Sequence, residues 1–223
     1  MTLRATNSRF STALAALVIA VTPFWPCNAQ TFEPSVKLAF DLAFINPSGN
    51  TLQTSVGSGG VSVDFDPGAG AGLRLEYLFA EALGVEFGVL GASSFDVTVG
   101  DLGDGFGVST SISSFAPLTL GLNYHFSSGN RVDFYAGPFL ALVRYGDVDV
   151  ETGTSGVITT EAVETDTGWG VIVGLDIPLR SGKWLLQSNL RYIQTNMKGT
   201  TDDGSFDGDF DPLIISFGFG YRF

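Results

Sequence analysis

The sequence predicts an all-β fold, an eight-stranded antiparallel transmembrane β-barrel of up-and-down topology preceded by a cleaved signal peptide. Three observations predict it: the side-chain alternation of the last strand, seven more segments that alternate in the same way, and connections that are alternately short and long. A closed sheet is expected because every backbone N–H and C=O group must find a partner within a membrane.

The last strand, at 213–223, gives the clearest pattern. Successive side chains of a strand point to opposite faces, and here one face is large and apolar while the other holds mainly Ser, Gly and Arg. A strand between lipid and a crowded barrel interior needs this combination. The terminal Phe223 also fits the C-terminal aromatic residue that barrel-assembly machinery reads, so we expect that machinery as a partner. The apolar face consists of Leu213, Ile215, Phe217, Phe219, Tyr221 and Phe223.

Seven earlier segments alternate with the same period, at 36–44, 73–79, 83–89, 118–126, 132–142, 169–179 and 184–192. With the last strand they make eight, an even number as bacterial single-chain barrels require. Short connections at 79–83, 127–131 and 180–183 alternate with long ones at 46–70, 91–111, 144–167 and 196–211. Short turns belong to the periplasmic side and long loops to the outside, so we expect both termini in the periplasm of a Gram-negative outer membrane.

Alternation alone does not say which face points outward, because a soluble barrel has the same period with its apolar face inside. Two features favour the membrane barrel over a soluble barrel or sandwich. The opposite face is rich in glycine, which suits the narrow interior of eight strands, and aromatic residues cluster beside the short turns like a periplasmic girdle. The girdle residues are Tyr77, Phe79, Tyr124, Phe126, Phe134, Trp184, Tyr221 and Phe223.

The first 29 residues read as a secretory signal. Arg4 and Arg9 give a positive start, 11–21 is a short apolar stretch, and small residues precede a cleavage point after Ala29. The alternative is a lipoprotein signal that uses Cys27, the one cysteine of the chain. The domain organisation is therefore a signal peptide at 1–29 and one barrel at 30–223.

All 23 acidic residues follow the predicted signal, whereas two of the 11 basic residues lie within it. This acidic balance argues against nucleic acid as a partner. Most of the acids fall in the long loops, where we expect contact with outer-membrane lipid and lipopolysaccharide. We expect no cofactor, no metal site and no enzyme. His125 and Ser127 have the spacing of the histidine and serine in lipid A deacylases, but they lie beside a periplasmic turn, away from the outer leaflet.

The inward side chains near the periplasmic end are charged, and we call them the polar plug. Opposite charges enclosed in a narrow lumen must pair, because an unpaired ion there costs several kcal/mol of desolvation. They either close the floor of a channel or simply fill the barrel. The polar plug consists of Lys37, Asp41, Arg74, Glu76, Glu86, His125, Asp133, Asp176, Arg191 and Arg222.

Toward the outer end the inward side chains become apolar, and we call them the apolar lining. An apolar cavity closed below by polar groups would suit a hydrophobic ligand. The equal alternative is a core packed by the bases of the long loops. The apolar lining consists of Ala43, Ile45, Leu90, Phe115, Phe139, Ala141, Val143, Ile172, Ile193 and Ile214.

Two prolines in neighbouring strands mark a candidate lateral opening. Proline has no N–H to donate to a strand ladder. If the turn at 127–130 sets the register, Pro117 lies nearly opposite Leu140 and Pro138 nearly opposite Thr119, so both missing donors fall at one level. The alternative is a bulge that curves the sheet.

Several strings resemble the OmpW family of outer-membrane proteins (OmpW/AlkL-like). They are 117–126, 135–138, 168–170 leading to 174–176, 184–192 and 218–223. The resemblance implies an eight-stranded barrel with a hydrophobic channel that passes small apolar molecules and releases them sideways into the membrane. The long loops depart from the family pattern, which leaves the solute unidentified.

The sequence thus supports two functions. The first is a channel for passive uptake of small hydrophobic molecules, which would partition into the apolar lining and leave through the wall. The second is a structural or adhesive outer-membrane barrel without flux, working through its acidic extracellular loops.

Overall fold

The computed structural model describes residues 32–48, 52–54, 63–93, 95–99, 108–112, 114–126, 132–146, 148–152, 158–161, 164–179, 182–201 and 204–223. The signal peptide predicted at 1–29 and the turn predicted at 127–131 lie outside these residues. Within the described part of the chain, no helix is long and apolar enough to cross a membrane. Residues Glu33–Phe223 form one compact unit.

The described residues form sixteen strands, and the eight longest are those predicted from alternation. In chain order they are β1 (Ser35–Ser48), β2 (Leu52–Thr54), β3 (Val63–Phe65), β4 (Gly68–Ala80), β5 (Leu83–Ala92), β6 (Phe95–Val99), β7 (Val108–Ile112), β8 (Phe115–His125), β9 (Asp133–Tyr145), β10 (Val148–Thr152), β11 (Ile158–Glu161), β12 (Asp166–Pro178), β13 (Trp184–Gln194), β14 (Asn196–Thr201), β15 (Gly204–Asp209) and β16 (Asp211–Arg222).

The eight long strands close into an antiparallel barrel in the order β1-β16-β13-β12-β9-β8-β5-β4. The fold class is therefore as predicted. The eight short strands all lie in the long connections, where they form a five-stranded sheet, β11-β10-β7-β6-β3, and a three-stranded sheet, β14-β15-β2. The short and long connections alternate as expected, and the long ones carry sheet structure that alternation did not predict.

Burial confirms which face of each strand points outward. Phe44 is 62% exposed whereas the next residue, Ile45, is fully buried, and Phe219 is 59% exposed between two buried glycines. An exposed apolar belt around a closed sheet, with polar groups buried inside, is the reverse of a soluble barrel. The girdle rings contact each other, with centroids 5.0 Å apart for Tyr124 and Phe126 and 4.9 Å for Tyr221 and Phe223.

The strands are staggered around the barrel. Following direct pairing partners from His125 once around the barrel leads back to β8 at Phe115, ten residues along the same strand. A barrel with such a stagger has strands that are tilted relative to the barrel axis. A path that follows pairing partners around the barrel therefore also moves along the axis, from one end of the lumen to the other. The path runs through Tyr135, Gly174, Asn189, Ser216, Ala43, Gly70 and Ala92.

The predicted register of β8 and β9 is wrong. Pro117 lies opposite Val143, not Leu140, and Thr119 lies opposite Ala141, not Pro138. The two missing donors therefore do not share one level, and each proline interrupts a different strand pair. The β8–β9 ladder is broken where Leu122 and Asn123 face Pro138 and Gly137, whereas the β5–β8 ladder is broken where Leu90 and Gly91 face Pro117 and Ala116.

The break beside Pro138 is not a hole in the wall. A Cβ built on Gly137 would stand 1.9 Å from the carbonyl oxygen of Leu122, so the two backbones touch there although they are not paired. The surroundings of Gly91, beside Pro117, are different, since a Cβ built on Gly91 would meet no atom within 4 Å.

We expect Gly137→Ala to destabilise the barrel by about 1–3 kcal/mol, because the added methyl group must push two backbones apart. The measurement is the free energy of unfolding in urea after refolding into lipid vesicles. Gly91→Ala is the matched control and should change it by less than about 0.5 kcal/mol. Equal stability of the two variants would contradict the close approach of β8 and β9.

Candidate functional site

The residues of the polar plug lie together in the half of the barrel nearest the short connections, which we call the lower half. Nine of its ten members, from Lys37 to Arg191, point into the lumen, and eight of these are less than 9% exposed, while Asp133 is half-buried. Arg222, at the end of β16, is also half-buried. The alternation of strand side chains places them there, since each occupies the inward phase of its strand.

Arg74 is the centre of this network. Its guanidinium donates two hydrogen bonds to the carboxylate of Asp41, one to Glu86 Oε2 at 3.0 Å and one to Gln187 Oε1 at 3.1 Å. A further bond of 3.0 Å reaches the hydroxyl oxygen of Tyr135. A planar guanidinium offers five N–H donors, so one buried cation connects four other strands of the barrel.

Lys37 holds a second pair of carboxylates. Its Nζ lies 2.5 Å from Glu76 Oε2 and 2.7 Å from Asp176 Oδ2. Gln187 joins the two centres, because its amide donates to Asp176 Oδ1 at 2.8 Å while its oxygen accepts from Arg74. The buried charges therefore belong to one continuous network.

His125 extends the network toward the short turns. Its Nε2 lies 3.0 Å from Glu76 Oε1 and its Nδ1 lies 2.9 Å from Asp133 Oδ2. Both ring nitrogens thus face carboxylate oxygens, and the imidazolium form, which donates at both nitrogens, fits this position. With His125 charged, the five cations and five carboxylates of the polar plug balance.

Sequence reasoning missed Tyr135 as part of this site. It is fully buried, its hydroxyl accepts from Arg74, and Lys37 Nζ lies 4.8 Å from the centre of its ring. The ring also fills the space above Gly174, where a Cβ would be 2.3 Å from its Cζ. Tyr135 lies two residues after Asp133, so the alternation of β9 places both side chains on the inward face. Counting this alternation would have identified Tyr135 from the sequence.

The residues of the apolar lining lie together in the upper half of the barrel. All ten of its residues are buried, each with no more than 6% exposure, and they belong to one cluster. The structure adds Ala92, Tyr135, Tyr145 and Phe210 to that cluster. The apolar lining is packed rather than hollow, which agrees with the alternative of a core closed by a loop base.

Phe210 closes the outer end of this cluster. It lies in the link between β15 and β16 and is fully buried, with ring centroids 5.5 Å from Phe115 and 5.7 Å from Tyr145. Its backbone N–H donates to the carbonyl of Thr195 at 3.0 Å. The alternating pattern could not predict Phe210, because it precedes the strand in which that pattern begins.

Comparison with known proteins decides the family. The model of the outer membrane protein beta-barrel domain matches residues 11–223. The chain belongs to this family. No curated protein sequence matches the chain. Family membership, the closed eight-stranded sheet and the exposed apolar belt together place the protein in an outer membrane.

Solved structures of several outer-membrane proteins have the same fold. The outer membrane protein OprG of Pseudomonas aeruginosa is 19% identical, with a TM-score of 0.62 over 85% of this chain and 95% of that chain. The outer membrane protein AlkL, solved in DMPC bilayers, is 22% identical, with a TM-score of 0.60 over 89% and 95%. Neisserial surface protein A is 16% identical, with a TM-score of 0.52 over 86% and 100%. OprG and AlkL are barrels of the OmpW type, so the resemblance seen in the sequence holds for the fold.

We expect Arg74→Met to destabilise this outer-membrane barrel by about 3–5 kcal/mol, because it leaves Asp41 as a buried charge without its partner. The free energy of unfolding in urea is the measurement. The double variant Arg74→Met, Asp41→Asn should recover part of the loss, since it removes that charge.

Arg222→Met is the control for this change. Arg222 Nη2 lies 3.7 Å from Asp133 Oδ2 and its side chain is 35% exposed, so its loss should cost about 1 kcal/mol or less. Equal losses for Arg74→Met and Arg222→Met would refute the central place of Arg74.

Proposed function

We propose that this outer-membrane barrel is a channel for passive uptake of small hydrophobic molecules, which leave it sideways into the membrane. The observation that carries the proposal is the division of the lumen into an apolar upper half and a charged lower half whose side chains form one network of ion pairs and hydrogen bonds. The fold shared with OmpW-type barrels supports it.

The polar plug supports a closed floor. A solute moving straight through would have to separate Arg74 from Asp41 and Lys37 from Glu76, and separated charges in a narrow lumen cost several kcal/mol each. A hydrophobic solute offers these groups no replacement partner. Passage to the periplasm along the barrel axis is therefore unfavourable.

The apolar lining supports binding of hydrocarbon in the upper half. Each methylene group transferred there from water contributes about 0.8 kcal/mol. Because Phe210 fills the outer end, a solute must displace it. Phe210 lies in a link rather than in a barrel strand, so this displacement leaves the pairing of the wall intact.

The interruption beside Pro117 supports the exit. It lies between β5 and β8, and its inner side is formed by Leu90 and Phe115 of the apolar lining. Its outer side has no large side chain, since Gly91 and Ala116 occupy it. Pro138 does not contribute at this level, so we assign the exit to Pro117 alone.

The orientation belongs to the same proposal. The three short connections and both ends of the barrel domain would face the periplasm, with the two loop sheets outside. The acidic loops would then meet lipopolysaccharide and the medium from which solutes arrive.

A second candidate function is a structural or adhesive barrel. The packed state of the upper lumen and the two additional loop sheets favour it. In that case the loop sheets are the working surface and no solute passes.

Uptake of N-phenyl-1-naphthylamine, which fluoresces on entering a membrane, separates the two functions. Cells that carry the protein should take it up several times faster than cells without it. Ile193→Asp and Phe139→Asp should reduce the rate to that of cells without the protein, because a charge in the apolar lining opposes partitioning.

The matched control for these variants is Gln194→Asp, which places the same charge on the exposed neighbour of Ile193 and should leave uptake unchanged. Ile193→Asn serves if the Asp variants fail to fold, as judged by their mobility in unheated gels. Equal uptake with and without the protein would leave only the structural or adhesive function.

Pro117→Ala tests the exit. The restored N–H lets β8 pair with β5 at the interruption, so tracer release into the membrane should slow by about threefold to tenfold, as expected for one added hydrogen bond. Pro138→Ala is the control and should leave the rate unchanged. If both variants carry tracer at the native rate, the exit lies elsewhere.

A further inference from the structure

Asn189 is a buried amide whose hydrogen-bonding capacity is unused. Its side chain is 3% exposed, and neither Oδ1 nor Nδ2 has a hydrogen-bond partner among the described residues. Gln187, two residues earlier on the same face of β13, uses both of its polar atoms. A buried polar group left unpaired costs free energy, so this one requires an explanation.

Arg191 is the next inward residue of β13, and one of its hydrogen-bond donors is also without a partner among the described residues. Its Nη2 donates to Glu86 Oε1 at 2.8 Å, but its buried Nε has no hydrogen-bond partner among the described residues. Because the two residues share one face of a strand, their Cα atoms are about 7 Å apart. Three N–H groups and one carbonyl oxygen are therefore available along this short stretch.

These two residues lie where the two halves of the lumen meet. The pairing path that climbs from His125 in the polar plug to Phe115 in the apolar lining passes Asn189 and Ser216 near its middle. Arg191 is paired on one side with Ile172 and on the other with Ile214, both in the apolar lining. A molecule held in the upper lumen would have its lower end at Asn189 and Arg191.

We propose that Asn189 and Arg191 bind the hydroxyl group of an amphipathic alcohol whose hydrocarbon part lies within the apolar lining. This inference rests on the proposed uptake function and names the class of solute. The unpaired amide is then a site that is satisfied only when a solute is bound.

The donor and acceptor pattern favours a hydroxyl group. A hydroxyl can donate to Asn189 Oδ1 and accept from Arg191 Nε or Asn189 Nδ2. A ketone or ester can only accept, which leaves Oδ1 unpaired, and a pure hydrocarbon pairs with none of these atoms. A buried site built to hydrogen-bond a hydroxyl discriminates against analogues that lack it.

The charge balance argues against a carboxylate head group. Glu86 already pairs with both Arg74 and Arg191, and the five cations of the polar plug match its five carboxylates. A bound carboxylate would add a negative charge beside Asp41 and Glu86 without a free cation. A neutral head group adds none.

Initial uptake rates of radiolabelled 1-decanol and decane by cells test the proposal. After subtraction of the rates in cells without the protein, the ratio of alcohol to alkane uptake should fall about threefold to tenfold in Asn189→Leu, the effect of losing one or two hydrogen bonds. Arg191→Lys, which keeps a positive charge opposite Glu86 but lacks Nε–H, should lower the ratio in the same direction. Ser188→Ala, on the opposite face of β13, is the control and should keep the native ratio.

The side-chain amide resonances of Asn189 provide a second, direct readout. In the full chain reconstituted in lipid nanodiscs with ¹⁵N-labelled asparagine, they are identified by their absence from Asn189→Leu. They should shift on addition of 1-decanol and not on addition of decane. This readout does not depend on uptake, and it is made on the native protein, so it does not require Arg191→Lys to fold.

The outcomes separate the two proposals. An unchanged ratio in Asn189→Leu, or amide resonances that ignore 1-decanol, overturns the hydroxyl site and leaves the amide with an internal water or with strain. Native uptake of both solutes at the rate of cells without the protein overturns the uptake function instead, and the resonances then decide the site by themselves.

Discussion

The pairing of charge inside a narrow lumen is the constraint on which the rest of this structure depends. Arg74 alone is bonded to residues from β1, β5, β9 and β13, and the network that continues from it has at least one member on every barrel strand. Ten ionisable groups can occupy this space only because each lies beside an opposite charge. Any change in strand order or register would separate several of them together, so the network specifies one arrangement of the wall.

The same network divides the lumen into two different environments. Below, charged and polar side chains are joined by hydrogen bonds and ion pairs. Above, aliphatic and aromatic side chains pack on each other and on glycines of the facing strands, as Phe139 does on Gly170. In the proposed uptake function, the interruption of the β5–β8 ladder beside Pro117 is the exit. The positions of charged residues and prolines along otherwise regular strands thus determine the two environments of the lumen and the interruptions of the wall.

Much of this could be predicted because the position of a residue along a β-strand determines which face of the sheet its side chain occupies. Once the phase of each strand was known, the facing of Lys37, Glu76 or Ile193 followed from residue number alone, and the structure confirms it. Tyr135 was missed because many aromatic residues of the strands face outward, and only the alternation of β9 shows that this one faces inward. The β8–β9 register was wrong by three residues because it was taken from the turn at 127–130. Register there depends on packing, such as the contacts of Gly121 with Phe139 and of Gly137 with Leu122. The sheet structure of the loops follows no clear alternation and could not be foreseen.

The buried network also has a consequence for how such a wall can be completed. Lys37 and Asp176 are 139 residues apart in the chain, and Arg191 and Glu86 are 105 apart. No single hairpin contains both members of these pairs, so a partly formed sheet leaves several ions without partners. Only the last pairing, of β16 with β1, encloses them all. Closure is therefore an all-or-none step. Charges that are unpaired in a partly formed sheet find their partners in the closed barrel, and opening the pairing of β16 with β1 would separate them again.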